Sequence, residues 1–345
     1  MLPSYPALSE SGELARRADR LMGMLGSCDI CPKDCRVNRL RGEVGFCWSG
    51  ADPVVSAVVP HYGEEPCLTG TRGAGNIFFG NCNMRCVYCQ NWQISQDWKG
   101  QRRNTVSVDA LAEAMLALQE KGCHNINLVS PTHFVPQIVA AVARAAPRGL
   151  CLPLVYNTNA YDSVSVLRLL DGIVDLYLPD LKYGDNAAAK EYSVAGNYVE
   201  ASRAALKEMY RQVGPDLVLD EAGLARRGLI IRHLILPNDI AGSRECLRFI
   251  AEELSPRVHL SIMAQYYPTN RADRKDLISR KIRAREYAEV LEMLEEFGFE
   301  NGWTQEFSAT DIGRPDFASA APFAWEGGLA PPPLHLTRAA TPPPK

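Results

Sequence analysis

The 345-residue chain predicts an α/β fold: an open, partial (β/α)6 barrel, preceded by a cysteine-rich N-terminal segment and followed by a disordered C-terminal tail. Three observations predict it. From residue 76 onward, short apolar and partly β-branched runs alternate with runs at helical spacing, as parallel strands buried on both faces alternate with the helices that cover them. Six such units are too few to close an eightfold barrel. The two ends of the chain differ from this middle: Cys28, Cys31, Cys35 and Cys47 crowd one end, and Pro331-Pro332-Pro333 and Pro342-Pro343-Pro344 lie among alanines at the other. The divisions that follow are residues 1–52, 53–315 and 316–345, the last rich in proline and alanine as disordered ends are.

Each element has its own signal. Leu14, Ala18, Leu21, Met22 and Leu25 share one face, which predicts a helix over 13–25. The next stretch, Cys28-x2-Cys31-x3-Cys35-x11-Cys47, is interrupted by Pro32, Gly42 and Gly45 and has the layout of a compact metal-binding loop. Residues 51–75 connect it to the barrel, with a strand at 54–59. Strands are expected over 76–79, 125–129, 153–156, 174–178, 229–236 and 258–263. Ser107 is an N-cap for a helix running to Lys121, with Gly122 just past its end. Further helices are expected over about 136–145, 163–170, 198–213, 244–254 and 283–297.

Composition bounds the function. With 46% hydrophobic residues, and 37 basic against 40 acidic side chains, the chain can build a sizeable core and has no electrostatic basis for binding nucleic acid or a membrane surface. No apolar run reaches the length of a membrane span. Met1-Leu2-Pro3-Ser4-Tyr5 has neither a basic start nor an apolar core, so it does not read as a signal peptide. Eleven cysteines without an export signal point to metal binding in a reducing cytoplasm rather than to disulfides.

The most informative run is Cys82-Asn83-Met84-Arg85-Cys86-Val87-Tyr88-Cys89, directly after the first barrel strand. A [4Fe–4S] cluster usually takes four thiolates. Three cysteines this close hold three irons and leave the fourth open to a substrate or cofactor. Zinc sites instead pair their cysteines as C-x2-C at two separate places.

This loop resembles the signature of radical S-adenosylmethionine (SAM) enzymes. Gly73-Ala74-Gly75-Asn76-Ile77-Phe78-Phe79-Gly80-Asn81 before it and Gln90-Asn91-Trp92-Gln93-Ile94-Ser95 after it are similar to the proteins related to the pyruvate formate-lyase activating enzyme. The resemblance spans roughly residues 28–312. It implies a radical SAM barrel of the partial (β/α)6 kind. It also implies an open iron that chelates SAM, a low-potential electron donor such as flavodoxin or ferredoxin, and reductive cleavage of SAM to a 5′-deoxyadenosyl radical. That radical abstracts hydrogen from a substrate, a protein glycine if the activating-enzyme likeness extends so far. Two other readings stand beside it: modification of another peptide or small molecule, and an iron–sulfur or zinc protein that binds SAM without turnover.

In parallel βα folds the site lies at the C-terminal ends of the strands. Here those ends carry the cysteine loop, Ser130-Pro131-Thr132-His133, Asn157-Thr158-Asn159, Pro179-Asp180-Leu181-Lys182, Pro237-Asn238 and Gln265-Tyr266-Tyr267. By the resemblance, Tyr88 lies near the adenine. Thr132 and His133 stand where activating enzymes have Gly-Gly-Glu for the SAM amino group. Asn157 replaces an aspartate at the ribose, and Asp180 and Lys182 lie near the SAM carboxylate and the reacting centre. Ser130, Asn159 and Gln265 complete the expected cofactor-binding set. The plainer readings are helix caps for Asn157 and Asn159, an exposed ion pair for Asp180 and Lys182, and a satisfied core histidine for His133. His61 and His233 take no assigned role, and Cys67, Cys123, Cys151 and Cys246 read as buried thiols. Cys28, Cys31, Cys35 and Cys47 suit either a second, closed cluster or a structural zinc.

Overall fold

The computed structural model describes residues 3–307, 315–317, 319 and 322–323. Its strands are β1 (Val55–His61), β2 (Ala74–Phe79), β3 (Ile126–Val129), β4 (Leu154–Thr158), β5 (Leu176–Pro179), β6 (Val218–Leu219), β7 (Ala225–Leu234), β8 (His259–Met263) and β9 (Gly302–Thr304). They form one sheet in the order β1-β2-β3-β4-β5-β7-β8-β9, with β6 paired to β7 off this path. β1 runs antiparallel to β2, and every later step along the path is parallel. Strands thus follow one another in space as in sequence, which is the winding of a barrel. β1 and β9 do not pair, so the barrel stays open.

Two features depart from the expectation of six units. β9 adds a seventh parallel strand, too short to register as an apolar run. Gly302 lets it dock: its φ is +132°, and a Cβ there would meet the Leu260 carbonyl oxygen at 2.0 Å. β7 also begins four residues earlier than expected, because Arg226 and Arg227 keep only partial exposure at its start and so hide the strand from a hydrophobicity reading. The expected helices appear as Glu13–Met24, Val108–Glu120, Val135–Ala145, Val164–Leu169, Tyr198–Val213, Ser243–Glu253 and Ala284–Glu296. The Ser107 hydroxyl accepts from the Ala110 amide at 3.1 Å, as an N-cap does. Helices at Tyr5–Glu10 and Asn186–Ser193 were not expected, being too short for a clear periodicity.

Alternation along the strands divides the core in two. Ile77, Phe79, Leu128, Tyr156, Tyr177 and Ile231 face the covering helices in the main cluster. Val155, Leu176, Leu178 and Ile230 belong to a smaller cluster with Cys67 and Leu68, so the turn Pro66–Thr69 plugs the concave face of the sheet. Each such fully buried side chain contributes about 1.5–3 kcal/mol. The same face carries polar residues: Glu64 accepts from Asn76 at 2.8 Å and Asn127 at 2.9 Å. Arg232 of β7 binds Glu65 through two bonds of 2.7 and 2.6 Å and also pairs with Glu64. Cys67, Cys123 and Cys246 are buried as expected, whereas Cys151 is exposed, since it lies in the connection leading into β4 rather than under a helix.

Phe317 and Phe323, assigned to the tail on sequence, lie against Phe78 at ring distances of 5.3 and 5.1 Å. Residues 324–345, which hold both proline runs of the expected disordered tail, lie outside the described residues. Among the described residues no helix is long and apolar enough to cross a membrane.

Candidate active site

The cysteine loop starts where β2 ends. Asn81 takes a left-handed conformation there, with φ of 65°, and turns the chain so that Cys82, Cys86 and Cys89 are all half-buried free thiols. The loop is held by its backbone. Arg85 and Val87 donate to the carbonyls of Ser193 and Tyr192 at 3.2 and 2.8 Å, and the Val87 carbonyl accepts from Arg271 at 2.9 Å. The thiols keep polar neighbours: the Met84 amide donates to Cys82 Sγ at 3.4 Å, Asn159 Nδ2 does so at 3.5 Å, and Cys89 shares a 3.2 Å hydrogen bond with Ser95. Burial pushes Cys82 up to about 12 and Cys89 to about 11, with Cys86 also raised. Metal must therefore displace protons to bind here.

The other strand ends meet this loop. Lys182, beyond β5, pairs with Asp180 at 2.6 Å with its side chain only 15% exposed. Burial alone would lower the lysine, but the Asp180 carboxylate and the neighbouring Cys86 and Cys89 sulfurs outweigh it and raise it. The exposed-ion-pair alternative therefore does not describe this pair. Among the described residues Asp180 Oδ1 is buried without a hydrogen-bond partner. Asn157 accepts at its backbone carbonyl from Ser130, which sits in a left-handed turn with φ of 58°; among the described residues nothing takes up the Asn157 side-chain amide. Asn159 does two things: its Nδ2 reaches Cys82 and Asn83, and its Oδ1 accepts from the Tyr161 amide at 3.0 Å.

Other expected residues are engaged elsewhere. The Tyr88 hydroxyl donates to Tyr183 at 2.8 Å, and the ring lies edge-on to Tyr266 at 5.8 Å. It thus forms part of an aromatic floor under the loop, 5% exposed. Thr132 shares a hydrogen bond with Thr158 at 3.1 Å. His133 is 1% exposed, with Nε2 on the Gly80 carbonyl at 2.9 Å and Nδ1 unpartnered; burial drives its pKa down to about 3. Gln265 takes a bond from Gln305 at 3.2 Å, and its carbonyl accepts from Gln90 at 3.1 Å, which ties β8's end to the residue after Cys89. Asn238 is bound to Leu277 and Arg280 instead. His233 is a satisfied core histidine between Leu181 and Ser243.

Sequence reasoning missed two residues that shape this site. Tyr198 takes a 2.9 Å bond from the Lys182 amide, and its hydroxyl lies 2.9 Å from both the Asn159 and Asp180 carbonyls, so one phenol ties together the loops after β4 and β5. Asp162 accepts from Tyr156 at 2.8 Å and Thr158 at 2.6 Å, bracing Thr132 indirectly. Both lie in the connections beyond the strand ends, where only the fold reveals their position.

Among the described residues, no group of three or more His, Cys, Asp or Glu side chains closes on a single metal ion. Three thiols in one loop suit three corners of a four-iron cluster. Among the described residues, the unpartnered Asp180 Oδ1, the Asn157 amide and the buried Lys182 cation are the polar groups beside the loop that could hold a cofactor.

An uncharacterized protein of Methanocaldococcus jannaschii is 30% identical over 280 residues, covering 79% of this chain and 76% of its own length. A second uncharacterized protein of that organism is 34% identical over 82 residues, 20% of this chain and 24% of that relative. The crystal structure of a radical SAM methyltransferase from Sphaerobacter thermophilus aligns with a TM-score of 0.41 and 11% identity. That alignment spans 67% of this chain and 65% of that one. Residues 76–214, from β2 through the cysteine loop to the end of the helix Tyr198–Val213, match the radical SAM superfamily, whose members normally use a [4Fe–4S] cluster and SAM, so the chain carries a radical SAM superfamily domain.

Proposed function

We propose that the protein cleaves SAM reductively at a cluster held by Cys82, Cys86 and Cys89 and abstracts a hydrogen atom from a bound substrate. The observation that carries the reading is the buried Lys182–Asp180 pair at the end of β5, facing the sulfurs of Cys86 and Cys89. When bound, the cluster and SAM supply one electron and a 5′-deoxyadenosyl radical. The chain's own residues bind and orient. Lys182 offers a fixed cation to the SAM carboxylate, where charge-assisted bonds are strongest. Asp180 Oδ1 accepts from the ammonium, and the Asn157 amide takes the ribose hydroxyls. Asn159 orients Cys82, and the floor of Tyr88, Tyr183 and Tyr266 keeps water from below. A one-electron donor of the flavodoxin or ferredoxin class supplies the reducing equivalent.

The substrate reading rests on the flanks of the loop. Gly73–Asn81 and Gln90–Ser95 resemble activating-enzyme relatives, which supports a protein glycine as the hydrogen donor. Thr132 and His133 support a second reading, another peptide or a small molecule, because both replace the Gly-Gly-Glu of activating enzymes and both are already engaged, with Thr158 and Gly80.

Anaerobic reconstitution followed by dithionite and SAM is expected to yield 5′-deoxyadenosine. Cys86→Ala is expected to abolish it together with this loop's share of the iron. A Cys86→Ala protein that still cleaves SAM would falsify the assignment. Deuterium carried into 5′-deoxyadenosine from a labelled host extract then separates a protein substrate from a small one.

A further inference from the structure

We propose that Cys28, Cys31, Cys35 and Cys47 hold a second, closed [4Fe–4S] cluster that serves as a one-electron site beside the SAM-binding loop. The proposal builds on the radical SAM reading of that loop. All four cysteines line one pocket, and all are free thiols. Their loop is built for sulfur. Backbone bonds of 2.9 Å join Cys28 to Val37 and Arg36 to Cys28, and the Phe46 amide donates to Cys35 Sγ at 3.4 Å. Gly45 makes room: a Cβ there would meet Cys35 Sγ at 2.8 Å.

Cations line the pocket. Arg39 lines it at 1% exposure. Its guanidinium donates to the carbonyls of Gly50 and His133 and stands 4.0 Å from Cys28 Sγ. Among the described residues no carboxylate pairs with it. Lys33 also lines the pocket, donates to the Val194 carbonyl and lies 4.0 Å from the centre of the Phe46 ring. The acid lining the pocket, Asp34, is taken by Arg36. A buried cation without a counter-charge is costly. Four thiolates around a cluster carry the net negative charge that these two cations face.

Four cysteines complete the thiolate shell of one four-iron cluster. With all four irons bound by cysteine, none remains open to SAM. The chemistry left is one-electron: the cluster gains an electron from a low-potential donor of the flavodoxin or ferredoxin class, which loses one, and no bond or proton moves. Its neighbour is the SAM loop. Phe46 and Trp48, which flank Cys47, hold Arg85 at 4.1 and 3.7 Å from their ring centres, and Arg85 lies between Cys82 and Cys86.

Anaerobically reconstituted full-length protein is expected to contain about eight irons and eight sulfides per chain and no stoichiometric zinc. Cys31→Ser/Cys35→Ser and Cys86→Ala/Cys89→Ser are each expected to keep about four irons. Electron paramagnetic resonance of the fully reduced wild type is expected to show spectra broadened by coupling between neighbouring clusters, with the broadening lost in either variant. About four irons in the wild type, or one zinc per chain, overturns the proposal without needing any variant to fold. Eight irons with no spectral response to SAM would sink the radical SAM reading instead and leave this one standing.

Discussion

Lys182 shows how much one side chain's meaning depends on its surroundings. Asp-x-Lys in a loop is most often a solvated ion pair worth little. Here the pair is three-quarters or more buried and lies near two cysteine sulfurs. Lys182→Ala is therefore expected to weaken SAM binding or cleavage ten- to a hundred-fold, the effect of losing a charge-assisted bond of about 1.5–3 kcal/mol, while iron content stays unchanged. Equal SAM affinity and cleavage rate in the variant would return the lysine to a structural role. Tyr198 makes the complementary point. Nothing in its local sequence separates it from any helix-starting tyrosine, yet it joins the backbones of Asn159, Asp180 and Lys182. Tyr198→Phe is expected to leave iron binding intact and impair SAM binding, measured by the spectral response of the cluster to SAM.

Elements were legible where burial imposed a simple pattern. The strands flanked by helices were readable because both faces are apolar. β9 and the start of β7 were not, since their places are set by a glycine contact and by half-exposed arginines. The concave face of the sheet hides the largest surprise, the contact of Arg232 on β7 with Glu64 and Glu65 from the turn after β1. Burial alone would raise Glu64, but Arg232 outweighs it and holds the carboxyl down at about 2. Because the folded carboxyl is the stronger acid, the unfolded chain takes up the proton first on acidification. This contribution is present above the usual 4.5 and is lost as the pH falls toward about 2. Arg232→Leu leaves two buried carboxylates unpaired and is expected to cost about 3–5 kcal/mol, read as a lowered melting midpoint near neutral pH. A variant as stable as the wild type would show that water reaches these carboxylates.

At the scale of the molecule, an open barrel wound in chain order places its loops along one rim and leaves the N-terminal segment to pack beside them. The helix Glu13–Met24 anchors that segment by burying Leu14, Ala18 and Leu21, but residues 28–47 contain little regular structure. If metal organises them, binding energy is also folding energy for that stretch. Removing iron with a chelator under reducing conditions is expected to lower the thermal midpoint and to make residues 28–47 the first site of limited proteolysis. Indistinguishable melting and digestion of the apo and loaded forms would separate the cysteines from the segment's stability.

By itself the sequence determined the α/β class, the cysteine loop at the end of the first parallel strand and the superfamily it resembles, because each depends on local spacing: period-two or helical burial for the elements, and ligand reach for the cysteines. It also placed Asp180, Lys182, Asn157 and Asn159 at strand ends. Only the tertiary structure decided which of them remain available. It engaged Thr132, His133 and Tyr88 with Thr158, Gly80 and Tyr183, left Asp180 Oδ1 and the Asn157 amide without partners among the described residues, and brought Cys28, Cys31, Cys35 and Cys47 around one pocket with Arg39 beside it. These outcomes depend on hydrogen bonds and charges between residues tens of positions apart, and no local pattern in the chain records them.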